Sequence, residues 1–255
     1  MNSKQEIIDA GLYLVKKKLI ARTWGNISKR INSESFEITP SGKEYSKITY
    51  KDIPIVKIED CSYDKKGPKP SSEKLVHAVV YKLRDDVKCV VHTHQLYASA
   101  ICAEGKDVIL PNGTKLPCAK YGLPSTKTLA NNVYKCIEEN PDLDMFLMEK
   151  HGTIVFGKTM EEALKKAELL EKQCKQLFLD RCPEIYIPEK MSAYLDDYAQ
   201  IYPPIKGEDS VAIKLVQEKN AAAYLYIRNA KPISKFDQKL QHFIYKLKYS
   251  KLKDK

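Results

Sequence analysis

At 255 residues, 43% of them hydrophobic and 30% charged, the chain has the length and balance of a folded globular protein with one large core or two small ones, which excludes intrinsic disorder. No apolar run approaches the roughly 20 residues that cross a bilayer, and the start Met-Asn-Ser-Lys-Gln-Glu lacks the basic-then-apolar pattern of a secretory signal, so cytoplasmic residence is expected. The net charge of +10 comes mainly from lysines spread over every expected helix, without a zinc-finger, RNP or helix-turn-helix pattern, so neither nucleic acid nor membrane is expected as a partner.

Ser3-x-x-Glu6 reads as a capping box, with Ile8, Leu12, Val15 and Leu19 following at helical spacing until the helix stops near Gly25-Asn26. Residues 27–31 and 36–39 are short extended runs joined through Asn32-Ser33 as a hairpin. A polar loop over 60–70 leads to Ser71-Ser72, where serine at the cap position opens a helix to about Leu83. A strand is expected over 87–94, a short helix over 95–103, and an extended run at 108–110 before the turn Pro111-Asn112-Gly113. Leu129, Val133 and Ile137 share one face of a helix over 126–139. Strands over 145–149 and 153–156 flank Lys150-His151-Gly152, and Thr159-x-x-Glu162 caps a helix carrying Leu164, Ala167, Leu170, Cys174 and Phe178.

Strands and helices interleaved in this way predict helices on both faces of one sheet, and the hairpin-like pairs argue against a purely parallel one. The seven cysteines are scattered and never form Cys-x-x-Cys, so they read as small buried hydrophobes, neither a disulfide frame nor zinc ligands. Beyond residue 183 the character changes. Pro183, Pro188, Pro203 and Pro204 punctuate a tyrosine-rich stretch, and the lysine-rich end, 235–255, has the pattern of a helix that docks on its own protein or on a sister subunit.

Of five histidines, three stand where they can act together. His92 and His94, two apart in a β-branched run, project from one strand face, and His151 precedes a glycine turn at the end of another apolar segment. Three imidazoles without paired thiolates suggest an open, catalytic metal site, because structural zinc sites are closed by four protein ligands. Glu73 and His77, four apart, project from one helix face. Glu73 is open to three readings: a fourth ligand, a general base, or a first-turn glutamate favoured by the helix dipole. His77 reads as packed behind the site. The helix start at Ser71-Ser72 suits an anion, and Thr23-Trp24-Gly25-Asn26 and Thr39-Pro40-Ser41-Gly42 each combine a hydroxyl with a glycine. Together these turns and the metal set form a coherent site for a phosphorylated polyol.

In this order, Thr-Trp-Gly-Asn-Ile-Ser, Thr-Pro-Ser-Gly, Pro-Ser-Ser-Glu with His77, His-Thr-His and Lys-His-Gly resemble the class II aldolase/adducin-head family from about residue 5 to 180. The resemblance implies a three-layer α/β/α sandwich around a mixed, largely antiparallel sheet, assembled as a homotetramer with active sites near subunit interfaces. It implies one Zn2+ per subunit on His92, His94 and His151, with Glu73 as the ligand that leaves the metal and becomes acid/base. It assigns a substrate phosphate to Asn26, Ser41, Gly42, Ser71 and Ser72, with Gly25 making room. Tyr121, ending Leu-Pro-Cys-Ala-Lys-Tyr, is the implied proton donor to an aldehyde oxygen.

Within that family, epimerases usually have aspartate in place of Glu73 and the related dehydratases a different serine–glutamate arrangement. The expected activity is therefore reversible aldol cleavage of a phosphorylated ketose, such as L-fuculose 1-phosphate, to dihydroxyacetone phosphate and an aldehyde. The alternatives are L-ribulose-5-phosphate 4-epimerase, a related lyase or dehydratase, and an adducin-head-like binding module, which is expected to lose the metal histidines. Residues 1–188 are expected to form the catalytic domain. Residues 189–255 are expected to be an extension packed on that domain or on a neighbouring subunit.

Overall fold

The computed structural model describes residues 2–20 and 23–181. The boundary expected at 188, the extension over 189–255 and Cys182 lie outside the described residues. Helix α1 (Ser3–Lys16) is capped by Asn2, whose side chain accepts the Lys4 N–H at 3.0 Å, while Ser3 lies inside the helix with its hydroxyl on Glu37. The buried face is Ile7, Ile8, Ala10, Gly11 and Leu14; Leu12 and Val15, expected in the core, are 44% and 42% exposed. Small residues take the inward positions because the Tyr45 ring lies against Gly11. The helix ends well before Gly25, and Lys18 at φ 59° turns the chain away.

Strands β1 (Asn26–Arg30) and β2 (Ser35–Ile38) form the expected antiparallel hairpin, with Ser28 opposite Ile38. The short β3 (Ile55–Lys57) adds to β2. Next come α2 (Lys74–Leu83), β4 (Cys89–Thr93) and α3 (Leu96–Cys102). A small hairpin, β5 (Val108–Ile109) with β6 (Lys115–Leu116), stands apart from the main sheet around the expected turn. Strand β7 (Cys118–Ala119), α4 (Lys127–Glu138), β8 (Met145–Met148), β9 (Gly152–Gly157) and α5 (Met160–Arg181) follow. Thr126 caps α4 through the Leu129 N–H, and Thr159 accepts the Glu162 N–H at the start of α5.

The seven-stranded sheet runs β3-β2-β1-β4-β9-β8-β7, antiparallel throughout except for the parallel β7–β8 pair. Helices α1, α3 and α5 cover one face, and α2 and α4 the other. The architecture is the expected three-layer α/β/α sandwich around a mixed, largely antiparallel sheet. Central strands β4 and β9 are buried along their whole length, so their sequences are continuous apolar runs in place of an alternation. Phe36, Phe146 and Phe156 are fully buried in the α2/α4 layer and contribute about 1.5–3 kcal/mol each through apolar burial. Cys61, Cys89, Cys102, Cys118, Cys136 and Cys174 are free, and burial pushes the Cys89 and Cys136 thiols up to about 12.

Candidate metal centre and anion-binding turns

Strand parity aims His92, and two connections between elements bring up the other two histidines. Val90 belongs to the α2/α4 layer, and the period of two sends His92 to that same side of β4. His151 arrives from the β8–β9 turn, where Lys150 at φ 54° reverses the chain. Gly152 lets that turn lie on β4: a Cβ there would sit 2.6 Å from the Thr93 carbonyl oxygen and 3.2 Å from His92 Cε1. The potential ligand nitrogens of His92, His94 and His151 all lie within 4.8 Å of one another, and the Nε2 atoms of His92 and His151 are 3.2 Å apart.

His92 Nδ1 donates to the Thr153 carbonyl at 2.7 Å, which fixes the tautomer and leaves the Nε2 lone pair toward His151. Glu73 Oε2 is buried without a hydrogen-bond donor and lies 3.7 Å from His151 Nε2. Converging lone pairs beside a buried, unsatisfied carboxylate oxygen are costly unless a cation joins them. The three-histidine donor set therefore fits a metal ion, and the Glu73 carboxylate stands beside it at His151.

Helix α2 begins at Lys74, not at Ser71. Residues 72–73 form a turn in which the Ser71 hydroxyl accepts the Glu73 N–H at 3.2 Å, so Glu73 occupies the cap position, ahead of the first helical turn. Its other carboxylate oxygen accepts the Ser125 hydroxyl at 2.8 Å. Ser125 sits at φ 69°, in the left-handed region that serine seldom adopts, directly before the α4 cap. Sequence reasoning missed it, and Pro124-Ser125-Thr126 offers only the signal of an ordinary turn.

The three small-polar turns meet. The Ser71 N–H donates to the Thr39 carbonyl at 3.0 Å, the Ser41 N–H donates to the Lys69 carbonyl at 2.9 Å, and the Thr39 hydroxyl accepts the Ile27 N–H at 3.2 Å. Asn26 is the register partner of His92, which sets this group of turns beside the histidines. Ser71 is buried, Ser41 half-buried, and Ser72 and Gly42 exposed. Gly25, at φ 93°, makes room chiefly for β4, since a Cβ would sit 2.7 Å from the His92 carbonyl oxygen. The Trp24 ring lies 6.0 Å from that of His94. Tyr121 stands on the loop between β7 and α4, with its N–H donating to Glu149 Oε2 at 3.0 Å.

Behind the histidines, Thr93 and Thr153 share a hydroxyl contact of 2.9 Å, and Thr153 donates to Gln95, whose amide donates to the Ala167 carbonyl. Glu171 accepts the N–H groups of Tyr97 and Ala98 at the start of α3, and burial raises its carboxyl to about 6. His77 is no ligand: its ring bonds Ser28 and Asn26, and burial holds it well below the usual imidazole range, hence neutral.

The family described as the class II aldolase and adducin N-terminal domain matches residues 5–178. The chain belongs to this family. Among class II aldolase relatives, a probable L-ribulose-5-phosphate 4-epimerase of Mycoplasma pneumoniae is 29% identical over 188 residues, covering 66% of this chain and 78% of that protein. An L-fuculose phosphate aldolase of Methanococcus maripaludis is 32% identical over 173 residues, covering 66% and 91%. The solved structure of an L-fuculose 1-phosphate aldolase superposes with a TM-score of 0.62 at 25% identity, covering 86% of this chain and 95% of that one. Among the described residues, no helix of this class II aldolase family member is long and apolar enough to cross a membrane.

Proposed function

We propose that the chain is a zinc-dependent aldolase that reversibly cleaves a phosphorylated ketose, such as L-fuculose 1-phosphate, to dihydroxyacetone phosphate and an aldehyde. The observation that carries this reading is the convergence of His92, His94 and His151 on one another, with the unsatisfied Glu73 oxygen 3.7 Å from His151. Zinc, when bound there, supplies Lewis-acid stabilisation of the negative charge that develops beside the ketone as the carbon–carbon bond breaks. Asn26, Ser41, Gly42, Ser71 and Ser72 hold the phosphate and so orient the substrate without touching the reacting bond. His92, His94 and His151, with Glu73 beside them, would hold the zinc; Glu73 would also carry the proton to and from the dihydroxyacetone-phosphate carbon, and Tyr121 would serve the aldehyde oxygen. A homotetramer with active sites near its interfaces, in the cytoplasm, completes the proposal.

A second reading, L-ribulose-5-phosphate 4-epimerase, is favoured by the epimerase relative at 29% identity and opposed by glutamate at position 73. A panel of phosphorylated ketoses incubated with zinc-loaded protein separates the two. Release of dihydroxyacetone phosphate supports the aldolase, and a C4 epimer without cleavage supports the alternative. His94→Ala should stay folded, bind less than one zinc per chain and lose turnover; full activity in that variant would remove the metal role.

A further inference from the structure

We infer that a buried chain of hydroxyl and imidazole groups, Tyr81–Ser28–His77, fixes the Asn26 carboxamide so that it presents only N–H donors to the substrate. This makes the three residues positioning residues for recognition of an anionic group. The inference rests on the phosphate subsite proposed above, and it says why one residue of that subsite favours an anion.

The geometry comes from two matching periods. Asn26 and Ser28 are two apart on β1, His77 and Tyr81 four apart on α2, and each spacing covers about 6–7 Å. The two pairs therefore interlock, with Tyr81 Oη 2.7 Å from Ser28 Oγ, Ser28 Oγ 2.6 Å from His77 Nδ1, and His77 Nε2 in contact with Asn26 Oδ1. All four are buried, with Ser28 and His77 at 0% exposure. Tyr81 is itself wedged between the Arg30 guanidinium, 4.9 Å above its ring, and the Phe36 ring at 5.1 Å.

A neutral imidazole has one donor and one acceptor, so each proton in the chain fixes the next. Asn26 Oδ1 can only accept, which puts the His77 proton on Nε2. Nδ1 then accepts from Ser28, and Ser28 accepts from Tyr81. Reversal would flip the amide and turn Asn26 Oδ1 toward the ligand, where it would repel an anion. It would also send the Tyr81 hydroxyl to the Lys88 carbonyl at 3.5 Å, a long and weak bond. The preferred direction leaves Asn26 with its two N–H groups to offer, beside His92 and next to the Thr39 and Ser71 turns.

Titration of the zinc-loaded full chain with inorganic phosphate, followed by calorimetry, tests this alongside KM and kcat on the ketose that the panel finds. Ser28→Ala and Tyr81→Phe should each weaken phosphate binding and raise KM by about 3- to 10-fold, with kcat within about twofold and zinc content unchanged. In an Asn26→Ala background, Tyr81→Phe should add nothing, which a merely structural role would not produce. If Asn26→Ala weakens phosphate binding and the other two variants do not, the relay is wrong while the subsite stands. If Asn26→Ala leaves phosphate binding unchanged, the subsite itself falls and takes the relay with it. Should Ser28→Ala fail to fold, the near-isosteric Tyr81→Phe decides alone.

Discussion

Glu73 divides its carboxylate between two neighbours, the Ser125 hydroxyl on one oxygen and the histidine cluster on the other. A hydrogen bond to a charged group contributes about 1.5–3 kcal/mol, enough to hold one rotamer against its alternatives. Glycine accepts the left-handed backbone of Ser125 without strain, so Ser125→Gly removes the hydroxyl alone. We expect its kcat to fall roughly tenfold with KM and melting temperature unchanged, and steady-state kinetics with a thermal melt check both. The three histidines and Glu73 were legible because imidazoles two apart in an apolar run, a third before glycine, and a glutamate after two serines are each local signals. Ser125 and the Ser28–His77 contact were not. They depend on neighbours 52 and 49 positions away, and no local pattern encodes such a meeting.

Elements show a different division. Strands β4 and β9 and helices α4 and α5 lie close to where periodicity and capping put them, because their apolar faces are wide and their threonine caps plain. Around α1 the expected Ile8 and Leu19 are buried but Leu12 and Val15 are not, because the fold sets Gly11 beneath Tyr45 in their place. The three-residue β3 leaves too little alternation to detect. One close junction is β4 against the β8–β9 turn. Gly152→Ala must push the chain away from Thr93 and His92, which should cost about 1–3 kcal/mol of stability and reduce zinc affinity together. Denaturant unfolding and metal titration measure the pair, and loss of stability with undisturbed zinc binding would separate the turn from the site.

At the scale of the whole molecule, Glu171 couples the α3–α5 layer to pH. Its carboxyl is raised to about 6 by burial, above the ordinary 4.5. Between those values the folded chain keeps a proton that the unfolded chain has lost. The resulting stabilisation is full below about 4.5 and disappears as pH rises through 6, on the order of 1–2 kcal/mol in all. Glu171→Gln should flatten the melting temperature over that window, which scanning calorimetry between pH 4 and 7 detects. The sheet brings Thr23–Asn26, Glu73, His92–His94 and His151 to one place only when the central strand pairs are complete. Trp24, the sole indole of the chain, stands beside His94 at that meeting point. Ultraviolet emission of the unlabelled protein should therefore change once, and saturably, as zinc is added after chelation, giving an optical gauge of occupancy that needs neither substrate nor a dye.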